Sequence, residues 1–573
     1  MGLAKYKKYQ ADRYSKIVNQ IKISDKFIDT IDQYLHNNGI NKLLRLDLIQ
    51  YVIHNLSEKQ LTYQTISTEI LNYVQTIINS LLLNKSEIIQ RLFMFYGSIL
   101  MKNSLDQFYT PLTISEYFKN VMLPNQKYID PAAGTGDLLI KLEGDITLWD
   151  ISKEACSLSK LNYELFNKKA TIKEHNSLLN YTIENNSYDY CMMNPPFGTK
   201  TVTTDTNILS NYELSANKEK QELGILFIER AIQLLKDNGI LFVIVPGGYL
   251  GNNSNMFLRD YILQNTKIIS IVQLPSNTFS RSGTGVSTYL VTLQKKKITN
   301  LDYMIHIRKI DEIGYELNKK NTPVKYQKNN KNKFIIENNS PVIINDLNIL
   351  AKEINQFAHD NTINELIQEN TSTPYESINI QEIINDKYHV MEIGRYLQNY
   401  KMIISPLQKN QNPNKQIKDY CILNTDYSFQ IKKSKFYKYV DISEVNTPFY
   451  NGKQIIGYEL PGRAKNKVKK NDIILSRLRG NISFSIIMDD GLIVTNGMCV
   501  LRPKDLNSLL YIFANLYESS FRIQHQSLTT GSIMECISDE NINDIYLKDD
   551  CDLIKFKKIY DSMILLHNEL STI

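Results

Sequence analysis

The sequence predicts an α/β protein in three parts: a helical N-terminal domain, a doubly wound sheet domain and a mixed α+β C-terminal domain. Three observations predict it. The first hundred residues carry apolar side chains at spacings of three and four, the helical period. From about 106 to 317, short apolar runs alternate with amphipathic stretches, the pattern of a sheet with helices on its faces. Beyond about 400 the chain changes to short strands and turns. The bulk numbers agree with a globular protein: 573 residues, 42% hydrophobic and 22% charged, which is room for several domains. The formal net charge is only +6, so any polyanion-binding surface must be local. Cys156, Cys191, Cys421, Cys499, Cys536 and Cys551 form no C-x-x-C pair, which predicts neither a zinc site nor a disulfide framework. The N-terminal stretch "MGLAKYKKYQADRYSK" is polar, and no run of about 18 apolar residues occurs. The expectation is a cytoplasmic protein with no membrane span.

The elements follow in order. Within 1–105, "DKFIDTIDQYLHNNG" and "TISTEILNYVQTIINSLLLN" read as helices, with "NNG" as a stop. Within 106–317 the strands are YIDPAAG, DITLWD, YDYCMMNPP, GILFVIVPGG and IISIVQLP, and "KEACSLSKLNYELF" and "ILFIERAIQLLKDNG" are helices between them. Residues 318–399 form a connecting region that closes the sheet domain. Its Asn- and Lys-rich part predicts loop or disorder, followed by a helical piece, "INDLNILAKEINQFAHD". Residues 400–550 form the C-terminal domain. Residues 551–573 end in an amphipathic helix, Leu553 to Leu570, which packs on a partner, on the central domain or as ordinary core.

The first chemical motif is "YIDPAAGTGDLL", Tyr128 to Leu139. A strand ends at Asp130, a small-residue loop follows, and a helix is predicted next. Gly134 and Gly136 let a ligand approach the backbone, and the helix's first N–H groups would face it. Leu139 replaces the third glycine of a dinucleotide loop, and no phosphate-binding Lys follows, so neither G-x-G-x-x-G nor a P-loop is present. An acid about 20 residues on suits a ribose-bearing ligand. Asp150, at the end of "ITLWD", is that acid. The plainer alternative is a tight strand-to-helix turn with no ligand.

The second motif is "DYCMMNPPFGTK", Asp189 to Lys200. Two prolines cannot continue a strand or a helix, so the strand stops at Asn194 and becomes a rigid loop. Ligands of open α/β sheets bind outside the carboxyl ends of the strands. There the Asn194 side-chain oxygen and the Pro195 carbonyl could accept two hydrogen bonds from an exocyclic amine. Doing so leaves the nitrogen lone pair available to attack a methyl group. Pro195 and Pro196 fix the acceptors in advance. Phe197 offers a ring face to a planar base, an interaction of roughly 1–3 kcal/mol. No metal is needed. The plainer alternative is a turn with one packed Phe, which the preceding glycine loop makes the weaker reading.

These motifs together resemble the N6-adenine DNA methyltransferases of the gamma arrangement, especially the modification subunits of type I restriction-modification systems. "DQFYTP" (Asp106–Pro111) resembles their first segment for S-adenosylmethionine (AdoMet), "DPAAGTGDLL" their glycine loop and "NPPFGTK" their catalytic loop. "VPGGYLGNNSNMFLRDYIL", "IISIVQLPSNTFSRSGTGVSTYLVTLQK" and "SINIQEIINDKYHVMEIGRYL" resemble the stretches that follow. The resemblance covers about residues 30–397. It implies a Rossmann-like fold and AdoMet as methyl donor. It places Gln107, Tyr109, Thr110, Pro111, Asp130, Ala132, Gly134, Thr135, Gly136 and Asp150 around the donor. It also implies an adenine flipped from duplex DNA onto Phe197, since a stacked base cannot reach the donor. Asn176, in "KEHNSLL", stands where an Asp commonly meets the donor's adenine. Ala133 replaces a frequent Cys or Ser.

The C-terminal domain resembles one target-recognition domain of a type I specificity subunit, on "VKKNDIILSRLRGNISFSIIMDDGLIVTNGMCVLRP" and "HQSLTTGSIMECISDENINDIYL". Its residues agree with contact to double-stranded DNA. Lys453, Arg463, Lys465, Lys467, Lys469, Lys470, Arg477 and Arg479 fall within a short span. They could neutralise phosphates, and Arg477 or Arg479 could read guanine edges. A solvated basic face is the alternative. One reader per chain implies a short asymmetric site or a homodimer on two half-sites. The helical N-terminal region shows no clustered acids of a nuclease, so a restriction nuclease would be a separate subunit. A subunit that needs partners, a non-catalytic DNA-binding subunit, and transfer to RNA or to a protein glutamine are the competing readings.

Overall fold

The computed structural model describes residues 3–40, 67–81, 88, 92, 110–179, 184–198, 201–276, 278–279, 286–296, 302–315, 324–337, 340–360, 375–409, 415–423, 430–480, 482–531 and 535–571. These divide into two compact units, Met1–Met391 and Glu392–Ile573.

In the first unit, α1 (Leu3–Asn37) and α2 (Thr68–Asn79) are the two predicted helices. The α1 helix stops before Gly39, whose φ of +73° glycine adopts at no steric cost. Ser67 caps α2 by accepting the Ile70 N–H. The helices bury Phe27, Ile31 and Leu35 against Leu71, Val74 and Ile78.

The centre of the unit is a nine-stranded sheet. Its strands are β1 (Gln126–Asp130), β2 (Gly144–Asp150), β3 (Thr171–Glu174), β4 (Tyr188–Met193), β5 (Leu235–Pro246), β6 (Thr266–Gln273), β7 (Thr288–Lys295), β8 (Met304–Lys309) and β9 (Glu376–Asn379). Their spatial order is β9-β8-β6-β7-β5-β4-β1-β2-β3. The strands β3, β2, β1, β4 and β5 run parallel. Only β7, inserted between β5 and β6, and the edge strand β9 run antiparallel to their neighbours. The predicted strands are all present, and β4 and β5 are buried runs, as expected of strands covered on both faces. Alternate residues Tyr190 and Met192 join a core with α3 (Leu112–Val121). Cys191 and Met193 point the other way, toward α5 (Leu223–Leu234). Between β2 and β3 lies α4 (Lys153–Leu165).

Up to Met391, the described part of the region 318–399 packs as part of the sheet domain rather than as a free linker. Its helical piece, α6 (Leu347–Asp360), buries Leu347, Leu350, Ile354 and Phe357 completely in the same core as α3 and the sheet. The Asn/Lys-rich part is also built where described: residues 324–337 and 340–345 form a small β-structured finger. The chain then returns as β9 beside β8. The buried Arg259 ties this last segment down, donating to the carbonyls of Tyr249, Asn252 and Tyr388.

The second unit holds two four-stranded sheets. One contains β10 (Cys421–Leu423), β14 (Ile473–Ser476), β15 (Phe484–Ile486) and β17 (Met498–Pro503), in the order β10-β17-β14-β15. The other contains β11 (Phe436–Val440), β12 (Lys453–Ile456), β13 (Ala464–Lys467) and β16 (Ile493–Thr495), in the order β12-β11-β16-β13. The terminal helix α8 (Leu553–Ser571) packs inside this unit. Its Phe556, Tyr560 and Met563 meet Leu509 and Phe513 of α7 (Leu506–Asn515). That side of the helix is core, not a surface for a partner or for the first unit.

If α6 is core, Phe357→Ala should cost about 3–5 kcal/mol in urea unfolding followed by circular dichroism. A loss below about 0.5 kcal/mol would return the segment to the status of a linker.

Candidate active site

Parallel strands in register bring three side chains to one sheet edge. β1 ends at Asp130, β2 at Asp150, and β4 is followed at once by Asn194. Because β4, β1 and β2 are consecutive neighbours, the three strand ends adjoin at their carboxyl termini.

The glycine loop is stitched to its surroundings. Asp130 Oδ1 accepts the Ala132 N–H at 3.0 Å, and Asp150 Oδ2 accepts the Gly134 N–H at 2.9 Å. Ala133 N–H donates to the Trp149 carbonyl and Gly136 N–H to the Ala133 carbonyl. From below, α4 supplies two donors: Ser159 Oγ to the Gly134 carbonyl at 2.7 Å and Asn162 Nδ2 to the Thr135 carbonyl at 3.0 Å. Thr135 Oγ1 bonds the Asp137 carboxylate. Gly134 and Gly136 have φ of +54° and +76°. A Cβ on Gly136 would lie 3.0 Å from both Leu148 and Tyr163, whereas one on Gly134 would meet nothing within 4 Å. Gly136 is therefore required by packing and Gly134 faces open space.

Two expectations are corrected here. The residues after Gly136 form successive turns, not a helix, and the Asp137 carboxylate is engaged by Thr135 and by Asn162. The N–H groups of Ala132, Ala133, Gly134 and Gly136 are consumed within the fold. What the loop offers a ligand is an open backbone face flanked by two acids.

Those acids are electrostatically loaded. Burial pushes the Asp130 carboxyl up to about 8, against the lowering effect of the Ala132 N–H and with the Asp150 charge adding to the rise. Burial also raises Asp150, opposed by the N–H groups of Ser152 and Gly134. A cation placed here would favour ionisation of both.

Asn194 carries the most informative geometry. Its Nδ2 donates to Thr110 Oγ1 at 3.3 Å, while its Oδ1 is buried with no hydrogen-bond partner. Among the described residues no donor reaches that oxygen, and a buried acceptor left unsatisfied costs about 1–3 kcal/mol. Thr110 precedes Pro111, the N-cap of α3, which brings the Tyr-Thr-Pro segment beside the proline loop. Gln107 and Tyr109 lie outside the described residues. Gly224, in the first turn of α5, backs the loop: a Cβ there would sit 3.0 Å from the Pro196 carbonyl and 2.8 Å from Tyr249 Oη. Tyr249 Oη in turn donates to Glu222 at 2.8 Å. Phe197 corrects the picture of an open stacking platform, since only 6% of its surface is exposed. Asn176 lies just after β3, its Oδ1 accepting the Leu178 N–H, and the preceding His175 N–H donates to the Asp150 carbonyl. Sequence reasoning missed Ser159, Asn162, Gly224 and the Thr110–Asn194 bond. A polar pair three residues apart on the buried face of an amphipathic helix was the available signal for the first two.

In the second unit, β13 alternates buried Ala464 and Asn466 with exposed Lys465 and Lys467, as a half-buried strand must. Lys469 and Lys470 are exposed at the following turn. Arg463 bonds Asp441, and Arg479 bonds Glu535. Arg477 is corrected as a base-reading candidate: its guanidinium is held by Asp539 and the Ile537 carbonyl, with 14% of the side chain exposed. It ties β14 to the segment before residue 539. Among the described residues no group of three His, Cys, Asp or Glu is placed to hold a metal, and no helix is long and apolar enough to cross a membrane.

A glycine loop between two strand-end acids, with an Asn-Pro-Pro-Phe loop on the adjoining strand, defines an AdoMet-dependent methyltransferase. The chain belongs to the N-6 DNA Methylase family, whose family model matches residues 96–386, just over half of its length. Residues 413–548 match the Type I restriction modification DNA specificity domain, so both parts lie in one polypeptide. The methylase subunit of type I restriction enzyme EcoEI from Escherichia coli is 25% identical over 217 residues, 34% of this chain and 43% of that one. The methylase subunit of type I restriction enzyme MpnII from Mycoplasma pneumoniae is 23% identical over 284 residues, 42% and 52%. The chain spans about half or less of the curated relatives it matches. Among solved structures, the type IIG restriction endonuclease BpuSI aligns over 95% of this chain and 72% of its own, at 13% identity and a TM-score of 0.43.

AdoMet carries a positive sulfonium, and the site fits it: two buried carboxyls flank an open glycine backbone. The sign of the pH effect follows. Below about 8 the Asp130 carboxyl is largely protonated, and a cation binds its ionised form better. AdoMet affinity should rise from pH 7 to 9 and level off above, with proton release in calorimetry. In Asp130→Asn that part of the rise should vanish. An unchanged profile in Asp130→Asn would remove Asp130 from the donor site.

Proposed function

We propose that this chain transfers the methyl group of AdoMet to the N6 amine of an adenine extruded from duplex DNA, at a sequence selected by its own specificity domain. The single observation that carries the reading is the buried, unpartnered Oδ1 of Asn194 at the carboxyl end of β4, beside the glycine loop.

AdoMet, when bound, supplies an electrophilic methyl group on a sulfonium. Gly134 leaves room for it, and Asp130 and Asp150 balance its charge. Asp150 is anchored through Gly134 and Ser152 N–H groups, and each oxygen retains a lone pair for ribose hydroxyls. Thr110, Pro111, Ala132, Thr135 and Asn176 complete the pocket, with Gln107 and Tyr109 from the resembling segment. Asn194 Oδ1 and the Pro195 carbonyl accept the two amine protons of the base. Held this way, the nitrogen would direct its lone pair at the methyl carbon; the methyl–sulfur bonding pair would stay on sulfur as a neutral thioether, and one amine proton would pass by way of the acceptors to water, so no strong base is required. Pro195 and Pro196 fix the acceptors before substrate arrives. Phe197 must turn outward to stack, so base entry includes a local opening of the loop. Lys465, Lys467, Lys469 and Lys470, with Arg463 and Arg479 released from their carboxylates, face the phosphates of the recognised duplex. One specificity domain per chain supports either a monomer on an asymmetric site or a homodimer, with any restriction nuclease on a separate subunit.

The test is labelled methyl transfer to mixed-sequence duplex, followed by separation of the nucleosides. Label is expected in N6-methyldeoxyadenosine. Label in N4-methyldeoxycytidine would keep the mechanism and overturn the base. With RNA or a protein glutamine as sole acceptor, the DNA reading fails. Asn194→Ala should lower kcat by at least about 100-fold with AdoMet affinity within twofold of wild type. Retained transfer would make Asn194 structural.

A further inference from the structure

The finger at residues 324–337 and 340–345 has no part in the site described above, yet it is built and basic at its tip. Tyr326 bridges Ile343 and Lys328 bridges Phe334. Gln327 N–H donates to the Val342 carbonyl, Val342 N–H to Ile335 and Ile335 N–H to Gln327, each at 2.8–2.9 Å. The tip is fixed by Asn329, whose Oδ1 accepts the N–H groups of both Lys331 and Lys333, and by Asn332 at φ +58°. Asn tolerates that left-handed conformation better than other side chains with a Cβ.

The described residues of the finger carry four lysines against one acid, Glu337, which lies beyond the tip. Lys325, at the base, pairs with Glu312. Lys328, Lys331 and Lys333 at the tip are exposed, and among the described residues no carboxylate pairs with them. Lys328 and Lys333 instead lie over the rings of Phe334 and Tyr14, at 5.2 and 5.8 Å. Three like charges held together on an ordered turn repel one another. A polyanion relieves that repulsion.

The topology says where such a polyanion would lie. The finger follows β8, which is parallel to β6. Two antiparallel steps through β7 and the parallel pair β5–β4 make β8 parallel to β4. The finger therefore leaves the same sheet edge at which β4 delivers Asn194. Four strand spacings separate them, about 19 Å. Its base is bonded to α3 by Thr113 Oγ1, which donates to the Ile313 carbonyl at 2.8 Å.

We propose that this finger is a second DNA-backbone contact, carried by the methylase unit, with Lys328, Lys331 and Lys333 binding phosphates of the duplex that flanks the methylated base. The inference rests on duplex DNA being the substrate. It assigns the unit that does the chemistry its own sequence-independent grip, separate from the specificity domain.

The test is duplex binding by the full chain across a salt series, comparing wild type with K328Q/K331Q/K333Q. Loss of three phosphate contacts should lower the slope of log K against log salt by about 2–3. Affinity at physiological salt should fall about tenfold or more, equally for target and non-target duplexes. AdoMet affinity, unchanged, reports that the variant is folded, and the single substitution Lys331→Glu provides a milder second variant. A wild-type slope and affinity in both variants overturns the finger alone. A weakening confined to RNA or to an acidic protein also overturns it. If wild type binds no duplex, both the finger and the DNA substrate are overturned.

Discussion

The amide proton of Gly134 donated to Asp150 Oδ2 joins two strand ends and a loop in one bond. It draws the glycine loop over the end of β2, and the loop's shape depends on it. With Asp130 holding Ala132 from the other side and Ser159 and Asn162 bracing the carbonyls, the loop has little freedom left. Its open face is the one where Gly134 lacks a Cβ. The arrangement keeps two buried carboxyls together at one edge, an unfavourable state that a cationic ligand improves. Binding and charge are thereby coupled at this site.

The same logic applies one strand over. Asn194 has its donor end occupied by Thr110 and its acceptor end empty. Folding has already borne the cost of burying that acceptor, and in the proposed reaction it is recovered when the substrate amine is present. Pre-organisation of this kind lowers the barrier because the dipole need not reorient during reaction. Gly224 and Tyr249 hold the proline loop from behind, with no space for an added methyl group. The burial of Phe197 gives the loop a closed resting form.

Much of this was legible in the sequence, for local reasons. Strand ends, glycines and paired prolines are short-range signals, so Asp130, Gly134, Gly136, Asp150 and Asn194 could be named from their immediate neighbours. What was not legible depends on residues far apart along the chain. Thr110 and Asn194 meet across 84 positions, and Arg477 finds Asp539 across 62. The second pairing removes Arg477 from the exposed basic face that a charge run suggested. Low apolar content made the Asn- and Lys-rich part of 318–399 look like loop, yet α6 buries its leucines in a core shared with Leu112 and Phe118 of α3, far earlier in the chain, and the lysine-rich finger is ordered by Asn329 and by bridges to 343 and 334. Composition describes solvent preference, and it does not reveal such partners.

The proposed chemistry requires Asn194 Oδ1 and the Pro195 carbonyl to receive the amine of an extruded adenine. A crystal structure of the chain with target duplex and a non-transferable AdoMet analogue tests it most directly. The account predicts an adenine outside the helix with its amine nitrogen about 2.7–3.2 Å from both acceptors, and Phe197 turned onto the base. An adenine still stacked in the duplex with analogue bound, or an amine held elsewhere while Asn194 Oδ1 stays unfilled, would contradict it.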